Sequence, residues 1–285
     1  MATDGVLVID KPRGMTSADV VARVKRVTGA RRCGHTGTLD PMATGVLPIA
    51  LGEATKAAQF LLRDDKAYDG ELELGVTTDT LDAEGQVTGR RDPAGVTEDA
   101  LRAAFAAWVG ERDQIPPMYS ALKVDGQRLY KLARAGIDVD RAPRRIRIET
   151  IELQWFRPPN AAFSVVCATG TYVRALVRDV GEALGCGATL TALRRTRSGR
   201  FTLAEAIPLD RAGDAKVIPV AEILSELPEI RIDAAVAGDV RHGRKLAAPA
   251  GAPAGPIRLT GPVGELVAIV EADQGRLRYL RVFAG

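Results

Sequence analysis

The segment GHTGTLDPMATG, residues 34–45, sets a single carboxylate, Asp40, among glycine, threonine, leucine and proline. Read locally, an Asp before Pro is first of all a turn former. A rigid and partly desolvated carboxylate can also act as a general base or as a nucleophile. It has no second acid beside it for paired-carboxylate chemistry and no metal-type partner. Burial penalises its charge, so a catalytic Asp40 needs a cation. In the segment GTYVRALVRDVG, residues 170–181, Arg174 stands between Val173 and Leu176 at the start of an otherwise apolar helix, which favours an inward partner of its own. His35 lies in CGHTGT, a stretch too small and polar to be ordinary core. In KAYDGELELG, Tyr68, Gly70, Leu72 and Leu74 alternate with Asp69, Glu71 and Glu73, the two-residue period of a half-buried strand, so Tyr68 points inward with the leucines.

The elements that would position these groups are legible from periodicity. GVLVID reads as a first strand. TSADVVARVKRVTG reads as a capped helix with Val20, Val21, Val24 and Val27 on one face and Gly29 as its stop. VLPIALG is a buried strand and EATKAAQFLLR a helix. VTEDALRAAFAAWVG is an amphipathic helix with Leu101, Phe105 and Trp108 inward. QIPPMYSALKVDGQRLYKLARAG gives a rigid diproline start, a short strand, an Asp-Gly turn at 125–126 and a helix. Strands follow at RRIRIETIELQWF and AAFSVVCATG, then the Arg174 helix, then a strand at ATLTALRRTRSGRF. Strands and helices mix without steady βα alternation. The expected fold class is therefore α+β, a mainly antiparallel mixed sheet with helices packed on it.

The 285 residues suit one large domain or two modest ones. The expected boundary leaves residues 1–228 as the main domain and 229–285 as a small β-rich module that contributes affinity rather than chemistry. The three cysteines are odd in number and scattered, and with two distant histidines they form no familiar zinc spacing. The N-terminus lacks the pattern of a secretory signal, and no window is long enough to cross a bilayer. A cytoplasmic protein without metal is the expectation. The net charge is only +3, yet basic residues cluster in RVKRVTGARR, RAPRRIRIE, LRRTRSGR and RHGRK, while acids gather in TTDTLDAEG. Four such clusters read as a phosphate-tracking surface.

LVIDKPRGMTS, GHTGTLDPMATGVLPIALGEATK, MYSALKVDGQRLY, GTYVRALVRDVG and LRRTRSG stand in this order. Together they resemble the TruB family of bacterial tRNA pseudouridine-55 synthases, from about Gly5 to Phe201. The resemblance implies the pseudouridine synthase fold and a C-terminal PUA-like module. It also implies isomerisation of a T-loop uridine in tRNA without metal or organic cofactor. Asp40 matches the family's essential aspartate, as nucleophile or as base at the ribose C2′ proton; the sequence does not choose between them. Arg174 matches its partner cation, and Tyr68 the tyrosine that stacks on the base. Tyr172 and Leu193 match positions lining the substrate pocket, and His35 the histidine that holds the opened loop. Lys11 and Lys123 read as structural or backbone-contacting. The resemblance further implies a monomer that works without guide RNA or obligate protein partner. The competing readings are an RNA-binding or tRNA-folding module and a guide-RNA-dependent relative. Retention of Asp40, Tyr68 and Arg174 together weighs against the first, and the simple N-terminus against the second.

Overall fold

Residues 4–61, 65–124 and 126–283 are described by a computed structural model. The sheet that organises them follows from which stretches are apolar on both faces. β1 (Gly5–Lys11) buries Leu7 and Ile9 on one side and Val6 and Val8 on the other. β2 (Thr44–Leu51) does the same with Leu47 and Ile49 against Val46 and Ala50. Strands buried on both faces belong at the middle of a covered sheet. β3 (Lys66–Leu74), with its strict alternation, lies centrally too. The remaining strands are β4 (Gly110–Gln114), β5 (Arg144–Arg157), β6 (Asn160–Cys167), β7 (Ala188–Ser198) and the short β8 (Ile207–Pro208). Their order across the sheet is β8-β1-β2-β7-β3-β6-β5-β4, with the short strands Cys33–His35 and Phe201–Thr202 pairing off this path. Neighbours along it are antiparallel except β8 with β1 and β2 with β7. The mixed, mainly antiparallel α+β architecture is the one the sequence implied.

Helices cover both faces, most of them on one. α1 (Ser17–Thr28) starts at a capping box: the Thr16 side chain accepts from Asp19 N at 3.1 Å, and the Asp19 carboxylate accepts from Thr16 N at 2.9 Å. It ends where Gly29 turns left-handed. Val20 and Val24 are fully buried, but Val27 is 41% exposed, because the last turn runs past the sheet. The inner stripe is therefore shorter than the valine spacing suggests. α2 (Ala54–Leu61) lies on the opposite face, and the end of its expected span, residues 62–64, falls outside the described residues. α3 (Glu98–Ala106) buries Leu101 and Phe105 as expected, with Trp108 half-buried behind it. The expected hairpin between β4 and β5 is present as Lys123–Val124 with Gln127–Arg128, leading into α4 (Leu129–Arg134); Asp125 of its turn lies outside the described residues. α5 (Val173–Ala183) packs Leu176, Val177 and Val180 on the sheet.

A second sheet holds β9 (Glu229–Arg231), β10 (Pro256–Thr260), β11 (Leu266–Asp273) and β12 (Arg276–Val282) in that order, with α6 (Ala234–Arg241) against it. Its core is not wholly its own. Ile269 and Phe283 share one apolar cluster with Val6, Val8, Val46 and Ala50 of the main sheet, Ala54 and Ala57 of α2, and Val220, Ile223 and Leu224 of the connecting segment. Ile218 exchanges two backbone hydrogen bonds with Val6, at 2.8 and 2.9 Å. The C-terminal strands thus have a structural duty that the sequence alone does not reveal. Fully burying an Ile or Phe is worth about 1.5–3 kcal/mol. A chain ending at residue 228 is expected to melt on the order of 10 °C below the full chain by circular dichroism. An unchanged melting temperature would show that this shared cluster adds nothing.

Candidate active site

The loop that carries Asp40 is fastened at almost every peptide. Ser17 Oγ accepts from Leu39 N at 2.8 Å and donates to Leu39 O at 3.0 Å. Lys11 Nζ donates to Pro12 O at 2.8 Å and Pro41 O at 3.2 Å, and Gly14 N donates to the same Pro41 carbonyl at 2.8 Å. Burial pushes the Lys11 amine down to about 8, against the pull of Glu84 and Asp40. Arg195 donates to Gly37 O at 3.2 Å and Thr38 O at 3.3 Å. Gly37 has φ +150°, and a Cβ there would meet Lys66 Cε at 3.4 Å. Asp40 does form a turn, its carbonyl accepting from Ala43 N at 3.1 Å. The turn fixes a carboxylate that is itself only half-buried.

Arg174 supplies the cation. It is 3% exposed and forms a fork on Asp40: Nε to Oδ2 at 2.8 Å and Nη2 to Oδ1 at 2.9 Å. Its other hydrogens go to Thr80 O at 2.7 Å and Tyr119 O at 2.9 Å. Such a bidentate pair sets direction as well as charge. A second carboxylate, Asp82, lies 3.6 Å from Arg174 Nε and is 4% exposed. It accepts from Thr80 Oγ1 at 2.6 Å and Glu84 N at 3.1 Å. Asp82 was not singled out from sequence, where it is one of the acids gathered in TTDTLDAEG. The signal that would have marked it is conformational. Leu81, with φ +65°, takes the left-handed backbone that costs a non-glycine residue about 1–2 kcal/mol.

Asp40 stands between two cavities. The smaller, about 200 Å³, is lined by Asp40, Lys66, Tyr68, Thr169, Tyr172 and Leu193. The larger, about 540 Å³, opens on the other side against His35, Asp82, Arg128, Tyr130 and Arg174. All six residues singled out from sequence therefore meet here. Tyr68 is 7% exposed, and burial pushes its phenol up to about 12. Tyr172 is held through its backbone, its N–H donating to Gln114 Oε1 at 2.9 Å and its carbonyl accepting from Gln114 Nε2 at 3.2 Å. Burial raises the Tyr172 phenol as well. Burial first, then the charge of Arg195, lowers His35, whose Nδ1 accepts from Gly37 N at 3.4 Å. Leu193 pairs with Gly70 across β7 and β3 and closes the apolar wall.

The expected phosphate-tracking arginines are in part committed elsewhere. Arg194 forms a fork on Asp10 at 2.7 and 3.0 Å, Arg145 pairs with Glu111 at 3.0 Å, and Arg147 pairs with Asp65 at 2.8 Å. Arg195 is fully buried. Among the described residues no cluster of His, Cys, Asp or Glu could hold a metal ion, and no helix is long and apolar enough to cross a membrane.

This architecture is shared with solved structures. The chain aligns with a protein of the archaeal box H/ACA sRNP Nop10–Cbf5 complex at TM-score 0.74 and 28% identity, over 99% of this chain and 87% of that one. It also aligns with a chain of the H/ACA RNP bound to a substrate RNA containing 2′-deoxyuridine, at TM-score 0.72 and 27% identity, over 99% and 85%. The class, that of the pseudouridine synthases, is set by three family models that together span residues 25–284. Residues 25–173 match the N-terminal domain of the TruB family pseudouridylate synthases. Residues 174–227 match the tRNA pseudouridylate synthase B C-terminal domain, and 227–284 the C-terminal domain of tRNA pseudouridine synthase II. The tRNA pseudouridine synthase B of Burkholderia mallei (strain NCTC 10247) is 47% identical over 289 residues, 97% of this chain and 95% of that one. That of Aromatoleum aromaticum is 49% identical over 277 residues, 95% and 89%. The chain belongs to the TruB family of pseudouridylate synthases.

Proposed function

We propose that this chain isomerises uridine 55 in the T-loop of tRNA to pseudouridine, acting alone, with Asp40 as the catalytic group. The observation that carries this reading is the bidentate Asp40–Arg174 pair at the rim of the small cavity that Tyr68 and Leu193 floor. The names of the close relatives support tRNA as the substrate.

The target uridine leaves its stack to enter this cavity, at a cost of a few kcal/mol repaid by stacking and by contacts to the opened loop. Tyr68 and Leu193 sandwich the ring, Tyr172 borders the sugar, and His35 meets the RNA from the larger cavity. The C1′–N1 bond then breaks with its electron pair going to the ring. The ring turns, and C5 bonds to C1′. C5 loses its proton and N1 gains one, so nothing is oxidised and no co-reactant enters. Asp40 serves either at C1′ as nucleophile or at the C2′ proton as base. The β9–β12 sheet acts as an RNA-binding module that adds affinity. Pseudouridine mapping on in vitro transcribed tRNA tests the whole reading. Modification at position 55 alone, lost when that uridine is replaced by cytidine, is the expected outcome; modification elsewhere with position 55 untouched would overturn it.

Two substitutions separate the roles of Tyr68. Stacking on an aromatic ring is worth about 1–3 kcal/mol per base, so Tyr68→Leu is expected to lose both affinity and rate. Tyr68→Phe keeps the ring and is expected to bind tRNA normally without releasing product, leaving the label on 5-tritiated uridine in place. The phenol at about 12 holds its proton at neutral pH. It therefore takes the C5 proton only by passing its own onward, which a ring without a hydroxyl cannot do. A fully active Tyr68→Phe enzyme would reduce Tyr68 to a stacking platform.

A further inference from the structure

Arg195 is an anomaly within this site. It is 0% exposed and is the largest fully buried side chain of the described residues. Buried guanidinium groups ordinarily face a carboxylate. Among the described residues Arg195 has none: Nε donates to Val46 O at 2.7 Å, and the two terminal nitrogens donate to Thr38 O and Gly37 O at 3.3 and 3.2 Å. Its neighbours in the sheet explain the placement. On β7 it pairs with Tyr68 of β3 on one side and with Gly45 of β2 on the other. The ladder slips one residue between Arg195 and Arg197, a bulge of the kind that re-aims a side chain. Gly45 leaves the required room, since a Cβ there would lie 2.2 Å from the Arg195 carbonyl oxygen. As cross-strand partners Arg195 and Tyr68 extend to the same face of the sheet, and the positive charge of Arg195 reaches the Tyr68 phenol.

We infer that Arg195 is a positioning residue of the reaction, an inference that rests on the roles proposed above for Asp40 and Tyr68. One planar fork holds the Gly37–Thr38 peptides that lead into Asp40 and orients the Tyr68 hydroxyl, so loop and strand share a single register. It also leaves a positive charge without a carboxylate partner behind Gly37, Thr38 and Tyr68, which line the small cavity in which the proposed reaction makes the uracil ring negative as the C1′–N1 bond breaks. Preorganised charge of this kind needs no rearrangement as the bond breaks.

The test uses single-turnover rates of C1′–N1 bond breakage, the step common to both rings because a C5 fluorine leaves no C5 proton to lose, on tRNA carrying uridine or 5-fluorouridine at the target position, beside tRNA affinity and melting temperature. The fluorinated ring is the more acidic and leaves more readily. Arg195→Lys keeps the charge but not the fork. It is expected to bind tRNA within about threefold of wild type and to lose roughly 10-fold or more in kcat, with the same loss on both substrates. Arg195→Gln removes the charge and is expected to lose on the order of 10²–10³-fold with uridine and clearly less with 5-fluorouridine. Should Arg195→Gln fail to fold, Arg195→Lys alone decides: a wild-type rate, or a loss that only follows tRNA affinity or melting temperature, overturns the inference. A folded Arg195→Gln enzyme with wild-type kcat, or equal losses on both substrates that merely follow the melting temperature, would overturn it too. Activity in Asp40→Asn would instead refute the reading beneath it, whatever Arg195 does.

Discussion

Asp40→Asn is expected to abolish pseudouridine formation while leaving the tRNA dissociation constant within a few-fold of wild type. The two outcomes separate because their physical sources are separate. Affinity for a folded RNA comes mainly from phosphate contacts spread over a basic surface. The chemical step, in the proposed reaction, depends on one carboxylate whose two oxygens face the Arg174 fork at 2.8 and 2.9 Å. Asparagine keeps the shape but turns an N–H toward that fork, and it is neither nucleophile nor base. The loop itself should not move, because Ser17, Lys11 and Arg195 hold its backbone without help from the Asp40 side chain. A loss of roughly 10⁴-fold or more in kcat is the scale for removing the central member of a unit that acts together. Single-turnover pseudouridine assays beside filter-binding measurements would read both quantities. Residual activity near wild type would remove Asp40 from the reaction.

Arg174→Met should damage the protein in two ways at once. Breaking a buried ion pair by deleting one partner leaves an uncompensated charge, at about 3–5 kcal/mol. Here the cost falls chiefly on Asp82, which is 4% exposed, because Asp40 can still be reached by water. Activity should fall by about 10²–10³-fold or more through loss of the preorganised fork. The double variant Arg174→Met/Asp82→Asn is expected to regain part of the lost stability without regaining activity. Denaturant titration and kcat on the same preparations would read the cycle. Arg174→Lys should recover little, since a single ammonium cannot meet two Asp40 oxygens and the carbonyls of Thr80 and Tyr119 together. Stability returning together with activity in the double variant would mean that Asp82, not Arg174, limits the site.

Much of this was readable in one dimension. Alternation in KAYDGELELG placed Tyr68 on the buried face of β3, and it lies there. The Thr16 cap and the Gly29 stop bounded α1. An arginine among apolar neighbours at the start of α5 announced an inward partner, and Asp40 is that partner. These features are local: period, cap and neighbouring polarity act over one or two turns of chain.

What composition and spacing determined by themselves was therefore the set of elements and the α+β class, while the short list of site residues, Tyr172 and Leu193 above all, came from the resemblance to the TruB family. Which charges face which carbonyls was decided only by the tertiary structure. Arg194 and Arg195 are adjacent in a run that reads as part of a phosphate-tracking surface, yet one forms a fork on Asp10 and the other is sealed beneath the Asp40 loop. Asp82 reads as one acid among those of TTDTLDAEG until the left-handed Leu81 and the strand at Leu190 fold it against Arg174. The shared cluster of Ile269 and Phe283 with β1 and β2 spans more than two hundred residues of chain. Burial and ion pairing are properties of distances between remote segments, and no local pattern encodes a partner that arrives from the other end of the sheet.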